Sequence, residues 1–523
     1  MLNMFVTLVT FIILIIVSII RLFHQTKYDY WSKRNVKHDI PLPFFGNHFA
    51  TMSFLKTETE TYQDLYNRYY TEKLVGYYKG NKPILIVRDP DLIQNVLMTD
   101  FTSFYARGEE NPHKEPMMLN LFSVNGDYWR LLRYKLSAAF SKRKVRNSFP
   151  LILDSNEKFK KLLQDISLEA GQVSALDIIK RYTIHVICRC GFGVDTDALT
   201  DKNSRFLEFG ETVLSRPLSY IFRTHLADVF PSLKRFFGKP YLVPKLVKKI
   251  IAEITETVRK QRNYKPNGCS DYMDVLLEIE NSGKLEGESY EKKNEDGSPA
   301  KTILHVDFKC IAAQVYVFFA GGFDTTTIAG AVTLYHLAQH QDVQDQIRKE
   351  IDSAFLMTEN NLCYDQIKGM QHLERAIKES LRLFSPSGIL VRRSVKEYTF
   401  PGTDVTIDPD VMIIIPAQAI HLDETYYEKS NEFKPERFSL EAIESRHKCS
   451  YLAFGEGPRR CIGERQGMIH LMTGLVTIIR NFHIEPVLLP KTLRAKRVEF
   501  MGQRLGSDLF IKIIPRNIAN THP

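Results

Sequence analysis

The sequence predicts a mainly α-helical protein with a smaller β region, folded as a single large domain behind an N-terminal membrane-spanning helix. Three observations predict it. The first twenty residues carry no charge. Helical patterning dominates as far as Arg262 and returns in a long apolar run from Val306 to His340. β-prone segments are confined to Leu74–Val87 and Tyr398–Ile415.

The N-terminal segment comes first. Phe11 to Val17 is continuously apolar, and the charge-free stretch matches the ~20 residues that a helix needs to cross a bilayer. Arg21, His24, Lys27, Lys33, Arg34 and Lys37 follow, with Tyr28, Tyr30 and Trp31 among them. Basic residues after the span favour a cytosolic body, and the aromatics suit the membrane interface. A cleaved signal peptide is the alternative, but there is no basic leading region and no A-x-A site. The expected organisation is an anchor over 1–22, a basic, aromatic and proline-rich linker over 23–47, and a single large folded domain over 48–523. Pro41 and Pro43 fix φ and stiffen the lead-in.

Within the body, Gly80-Asn81-Lys82 marks a hairpin between two β-prone runs. Ser282 to Lys301 is rich in Gly, Ser, Glu and Lys and reads as a solvated loop. Val306 to His340 exceeds the ~20 residues of most globular helices, so it should run through the core. With 44% hydrophobic and 25% charged residues the chain has an ordinary globular composition. A net charge of +9 suits an anionic membrane or an acidic protein partner; nucleic acid is disfavoured for want of a recognition motif. Seven scattered cysteines make no disulfide framework. Cys188, Cys190 and Cys310 sit in apolar segments and read as small core residues.

Cys461 differs. It sits in Phe454-Gly455-Glu456-Gly457-Pro458-Arg459-Arg460-Cys461-Ile462-Gly463, ahead of a helix-like run from Glu464 to Ile479. The glycines permit unusual φ values and Pro458 stiffens the turn. A cysteine just before a helix lies where backbone N–H groups favour a thiolate. No second cysteine or histidine stands at zinc-ligand spacing. Gly463 would let a flat macrocycle come close, and Arg459 could pair with an acidic group on its edge.

This segment resembles the haem-binding signature of the cytochrome P450 family, F-x-x-G-x-R-x-C-x-G, at every defined position. Other segments carry the resemblance along the chain. Glu379-Ser380-Leu381-Arg382 is similar to the family's E-x-x-R, and Arg437 in Pro435-Glu436-Arg437-Phe438 implies a buried Glu379–Arg382–Arg437 network. Trp129-Arg130-Leu131-Leu132-Arg133 resembles W-x-x-x-R; the resemblance implies that Trp129 and Arg133 contact haem propionates. Arg392 aligns with another propionate-binding arginine, with the adjacent Arg393 as the alternative. Gly321-Gly322-Phe323-Asp324-Thr325-Thr326 resembles the oxygen-activation segment, implying proton relay by Asp324 and Thr325. Alone, without Cys461 downstream, that segment reads rather as a glycine kink capped by threonine. Two departures stand out: Gln341 replaces a common proline and Gln466 a common aromatic.

The resemblance implies a haem-thiolate monooxygenase that inserts one atom of O2 into lipophilic substrates. Its cofactor would be haem b (iron protoporphyrin IX) with Cys461 as the axial thiolate and metal ligand. Phe454, Gly463, Trp129, Arg133, Arg392 and Arg459 would bind the cofactor, and Asp324 and Thr325 would be catalytic. A haem-thiolate isomerase or dehydratase, and a non-catalytic haem binder, are the rival functions. No dinucleotide fingerprint is present. Electrons would therefore come from a partner, and the resemblance implies NADPH through a membrane-bound cytochrome P450 reductase, with cytochrome b5 a candidate second donor. Arg130, Lys135, Lys142, Arg143, Lys144 and Arg460 offer a basic docking face, or a merely solvated charge run. Tyr30-Trp31 through Asn47, Arg181 to Gly193, and Asp271-Tyr272-Met273-Asp274 look like insect microsomal members that oxidise xenobiotics and lipophilic endogenous compounds. That resemblance implies the endoplasmic reticulum membrane, with the catalytic domain facing the cytosol. Phe104, Met117, Met118, Leu119, Leu121 and Phe122 are candidates for substrate contact or plain core.

Overall fold

The computed structural model describes residues 5–7, 10, 11, 14, 26–107, 115–169, 172–230, 243–269, 271–357, 362–496 and 502–516. The expected anchor over 1–22 therefore falls almost wholly outside the described residues. The polypeptide forms two compact units, one built from 1–108, 217–240 and 389–420, the other from 109–216, 241–388 and 421–523.

The first unit is organised around a four-stranded sheet. Leu74–Lys79 pairs antiparallel with Lys82–Val87, which runs parallel to Met412–Ile415, which in turn pairs antiparallel with Leu390–Arg393. The predicted hairpin is thus present, with Lys79 opposite Lys82 around the Gly80-Asn81 turn. Val75, Tyr77, Ile84, Ile86 and Ile414 pack with Tyr62 and Leu65 of the helix Glu58–Arg68. That helix starts at a reciprocal Thr57–Glu60 capping box. Trp31 is fully buried, and its indole N–H donates to the carbonyl of Tyr77 at 3.1 Å.

The second unit is helical. Phe308–Gln339 runs through its interior, started by Asp307, whose side chain accepts from the amide of Cys310 at 2.9 Å. Among the described residues it is the one helix long and apolar enough to span a membrane, and most of that apolar window is buried inside the protein. Ala175–Phe192, Gln371–Leu383 and Glu464–Asn481 pack around it. Gly330 permits a close crossing: a Cβ there would meet Ile179 at 2.7 Å and Leu471 at 3.0 Å. Gln341 caps the end of the long helix by donating to Ala338 at 2.7 Å and to Ile484 at 3.0 Å. A three-stranded antiparallel sheet is ordered Phe482–Leu488, Phe510–Pro515, Gln172–Ser174.

One expectation is overturned. The stretch read as a solvated loop is an antiparallel hairpin, Lys284–Lys293 with Pro299–His305. Its composition is polar because one face is solvated; the partners of its other face lie far away in sequence. Cys188, Cys190 and Cys310 are buried, as expected of core residues.

Candidate functional site

The second unit holds most of the residues singled out by the sequence. Cys461 lies two residues before Gly463, the N-cap of Glu464–Asn481. Its backbone amide donates to the carbonyl of Phe454 at 2.8 Å, closing the loop on itself. Gly455 and Gly457 adopt φ of 67° and 77°, a left-handed conformation that other residues resist. Phe454 packs on the unit's core, fixing the base of the loop. Cys461 itself is exposed, whereas Cys188, Cys190, Cys310 and Cys449 are buried. At Gly463, an added Cβ would meet only the Phe140 ring, at 3.6 Å.

The helix Gly126–Leu136 brings Trp129 and Arg133 to the cysteine loop. The Arg459 guanidinium lies 4.5 Å from the centre of the buried Trp129 ring. It donates to the carbonyl of Val124 at 2.7 Å and to Asn125 Oδ1 at 3.2 Å, so Arg459 ties the loop to the start of that helix. Arg133 is desolvated, which lowers its pKa against the opposing pull of Cys461; no carboxylate among the described residues acts on it. A half-buried cation of this kind calls for an anion.

On the long helix, Gly321 and Thr325 are exposed although most of its other residues are buried. A Cβ on Gly321 would meet nothing within 4 Å. The Thr325 hydroxyl donates back to the carbonyl of Gly321 at 2.7 Å, and helical geometry persists throughout. Asp324 is held by a partner that sequence reading missed. Arg504 donates through Nε to Oδ2 at 3.1 Å, and its Nη2 lies 3.1 Å from Oδ1. No sequence signal could have found this pair, whose members stand 180 residues apart.

Arg392 belongs to the first unit. Its guanidinium is wholly buried, one Nη donates to the carbonyl of Val391 at 2.8 Å, and Nε has no partner among the described residues. Burial, aided by the charge of Arg107, pulls its pKa down to about 9. The neighbouring Arg393 instead pairs with Asp410 at 2.6 Å. Of the two arginines, then, Arg392 is the one with an unmet need for an anion.

The expected charge network is present. Arg382 makes two bonds to Glu379, at 2.7 and 2.8 Å, and Arg437 Nε stands 3.3 Å from the same carboxylate. In the segment Asp271-Tyr272-Met273-Asp274, both aspartates clasp the buried Arg262, at 2.6 and 2.7 Å. Of the apolar candidates, Phe104, Met117, Met118 and Leu121 are buried while Phe122 is exposed. In the basic set, Arg130 is paired with Glu288 at 3.1 Å and Arg460 with Glu464.

An accessible sulfur on a glycine–proline loop, beside a desolvated arginine on which no carboxylate among the described residues acts, fits an anionic, iron-bearing macrocycle. The chain belongs to the cytochrome P450 family: the family model matches residues 37–500. It is similar to cytochrome P450 6B7 of Helicoverpa armigera, 31% identical over 97% of this chain and 98% of the relative. Cytochrome P450 6B2 of the same organism is 33% identical over 90% and 91% of the two chains. Cytochrome P450 6a2 of Drosophila melanogaster is 32% identical over 91% and 93%. The protein is accordingly a haem-thiolate monooxygenase, an enzyme that takes a redox partner and a lipophilic substrate.

Proposed function

We propose that Cys461 would hold the haem iron as a thiolate, and that this enzyme inserts one oxygen atom from O2 into lipophilic xenobiotics or endogenous lipids and hormones. The observation that carries the reading is the accessible Cys461 sulfur in a self-closed loop ahead of Glu464–Asn481. When bound, haem supplies dioxygen binding and its activation, favoured by electron donation from the thiolate. The protein's task is orientation, charge and protons.

Trp129, Arg133, Arg392 and Arg459 serve the anionic edge of the cofactor. For Arg392 and Arg133 the support is electrostatic, since an anion relieves the burial of each cation. Phe454 and Gly463 shape the side from which the sulfur approaches. Thr325 keeps a hydroxyl on the exposed face of the long helix, and Asp324 supplies the acid beside it. While Arg504 holds both carboxylate oxygens, Asp324 is oriented; loosening that pair lets it exchange protons with solvent.

Electrons come from NADPH through cytochrome P450 reductase, with cytochrome b5 as a second donor. Lys135, Lys142, Arg143 and Lys144 offer the cationic docking face. The uncharged run in 1–20 and the basic residues after it support a single-pass anchor over 1–22 in the endoplasmic reticulum membrane. The linker over 23–47 and the catalytic domain over 48–523, facing the cytosol, complete that arrangement. The test is turnover of the full chain with NADPH and reductase under isotopically labelled dioxygen. Label is expected in the product; reductase-dependent product without label would overturn the reading.

A further inference from the structure

The hairpin Lys284–Lys293/Pro299–His305 is polar and faces solvent on one side, yet it is seated on the helix Gly126–Leu136. Gly287 and Ser289, alternate residues of its first strand, make that seat, as the two-residue repeat of a strand requires. Leu285 is buried. Gly287 lies so close to the helix that a Cβ would meet Leu131 at 2.7 Å. Ser289 is also buried, and its hydroxyl donates to Asp127 Oδ2 at 2.6 Å.

The pairing of the two strands shifts between Glu288 and Lys293, a bulge that takes several amides out of the ladder. Those amides are used. The amide of Tyr290 donates to Asp127 Oδ1 at 2.6 Å, and those of Glu291 and Lys292 donate to the Ser289 hydroxyl at 3.0 and 2.7 Å. Alongside, Arg130 reaches Glu288 at 3.1 Å and lies 4.3 Å from the centre of the Tyr290 ring. One carboxylate, Asp127, is thus the acceptor that joins the bulge to the helix.

Asp127 and Leu131 are four residues apart and form one stripe of the helix; Trp129 and Arg133 form another. Displacement by two residues turns the second stripe roughly 200° from the first. The hairpin therefore grips the side of the helix opposite Trp129 and Arg133, which meet Arg459 and the field of Cys461.

We propose that the hairpin is a brace that sets the seating of Trp129 and Arg133 on the haem edge, with Asp127 as its positioning residue. The inference rests on the assignment of Cys461 as the haem ligand and of Trp129 and Arg133 as groups that bind the cofactor. Slack in the helix weakens those contacts and draws the Arg133 charge away from the iron. Haem then leaves faster. The ferric–ferrous midpoint potential falls too, because a nearby cation favours the reduced form.

The test compares haem-loaded wild type, Asp127→Ala, Asp127→Asn and Ser289→Ala, following haem transfer to excess apomyoglobin and the midpoint potential. Asp127→Ala is expected to release haem about 10-fold faster with a lowered potential, as loss of charge-assisted bonds implies. Asp127→Asn keeps an acceptor and should recover most of both. Ser289→Ala, milder because Tyr290 stays bonded, should fall between and serves if Asp127→Ala does not fold. Wild-type release and potential in Asp127→Ala, or in Ser289→Ala should that alone fold, would overturn the brace. A wild-type protein without the thiolate-specific band of its reduced, carbon-monoxide-bound form would instead overturn the assignment of Cys461 beneath it.

Discussion

At Cys461 the backbone decides what the sulfur can do. The amide is committed to Phe454, the turn is bent by two left-handed glycines, and the side chain is left accessible. Because the thiol contributes nothing to the core, Cys461→Ser should fold with an unfolding midpoint close to wild type. It should lose the thiolate-specific absorption of the reduced, carbon-monoxide-bound protein, together with turnover. An unchanged spectrum would remove the basis of the ligand assignment. Asp324 poses a different residue-level question, since its carboxylate is held at both oxygens by Arg504. If that carboxylate handles protons, Asp324→Asn should cut product formation by about 10²-fold, the scale of general acid–base contributions. Haem content should stay constant. Arg504→Gln keeps the acid but frees its orientation, and should cost about 10-fold on the same scale. Equal rates for all three proteins, measured with saturating reductase, would leave Asp324 a purely structural partner of Arg504.

Elements were legible in the sequence to the extent that their causes were local. The long helix announced itself by an apolar run without proline, and Leu74–Val87 by β-prone residues around Gly80-Asn81. The hairpin Lys284–His305 was illegible because its support is tertiary: Asp127, Leu131 and Arg130 are some 160 residues upstream. The same distance problem hid Arg504 from Asp324. Trp129, Arg133, Phe454 and Gly463 could be named because each sits in a short motif of fixed spacing. The Glu379–Arg382–Arg437 cluster was legible from two such motifs, and its energetics belong to the element scale. Glu379 and Arg382 are wholly buried, and Arg382 also donates to the carbonyls of His421 and Ser430 at 2.7 and 2.6 Å. Glu379→Ala would strand the wholly buried Arg382 and take the same carboxylate from the partly buried Arg437. It should cost roughly 3–5 kcal/mol, as for other buried pairs broken on one side, read as a lowered urea midpoint. A loss below about 1 kcal/mol, the value of an exposed pair, would mean that water reaches the cluster.

For the whole molecule, three of the four histidines buried in the second unit among the described residues, His336, His421 and His470, have nothing to do with the cysteine loop's chemistry but much to do with its survival in acid. His336 stacks on Phe433 at 4.6 Å and faces Ser380 Oγ at 3.1 Å. His421 accepts from the amide of Leu452 through Nε2 at 2.8 Å, and His470 Nε2 has no partner. Burial pushes the first two down to about 3 and the third to about 4; neighbouring His340 and Arg382 add to the effect for His336, and Arg382 for His421. All three are therefore neutral in the folded protein at pH 5, while in the unfolded chain they titrate near the ordinary ~6.5. Above that pH neither state carries the extra protons, and stability is insensitive to these groups. As pH falls from 6.5 towards 4, the unfolded chain takes up protons that the fold refuses, so stability drops, levelling off once the folded pKa values are passed. Unfolding near pH 5 should consequently take up about one proton per histidine on top of the carboxylate contribution. His470→Leu isolates the effect, because it removes one such site without deleting a hydrogen bond of Nε2. The pH dependence of its urea midpoint between 7 and 4.5 should be shallower than wild type by about one proton. Identical slopes would mean that His470 titrates alike in both states, and that the acid limit of this protein is set by its carboxylates alone.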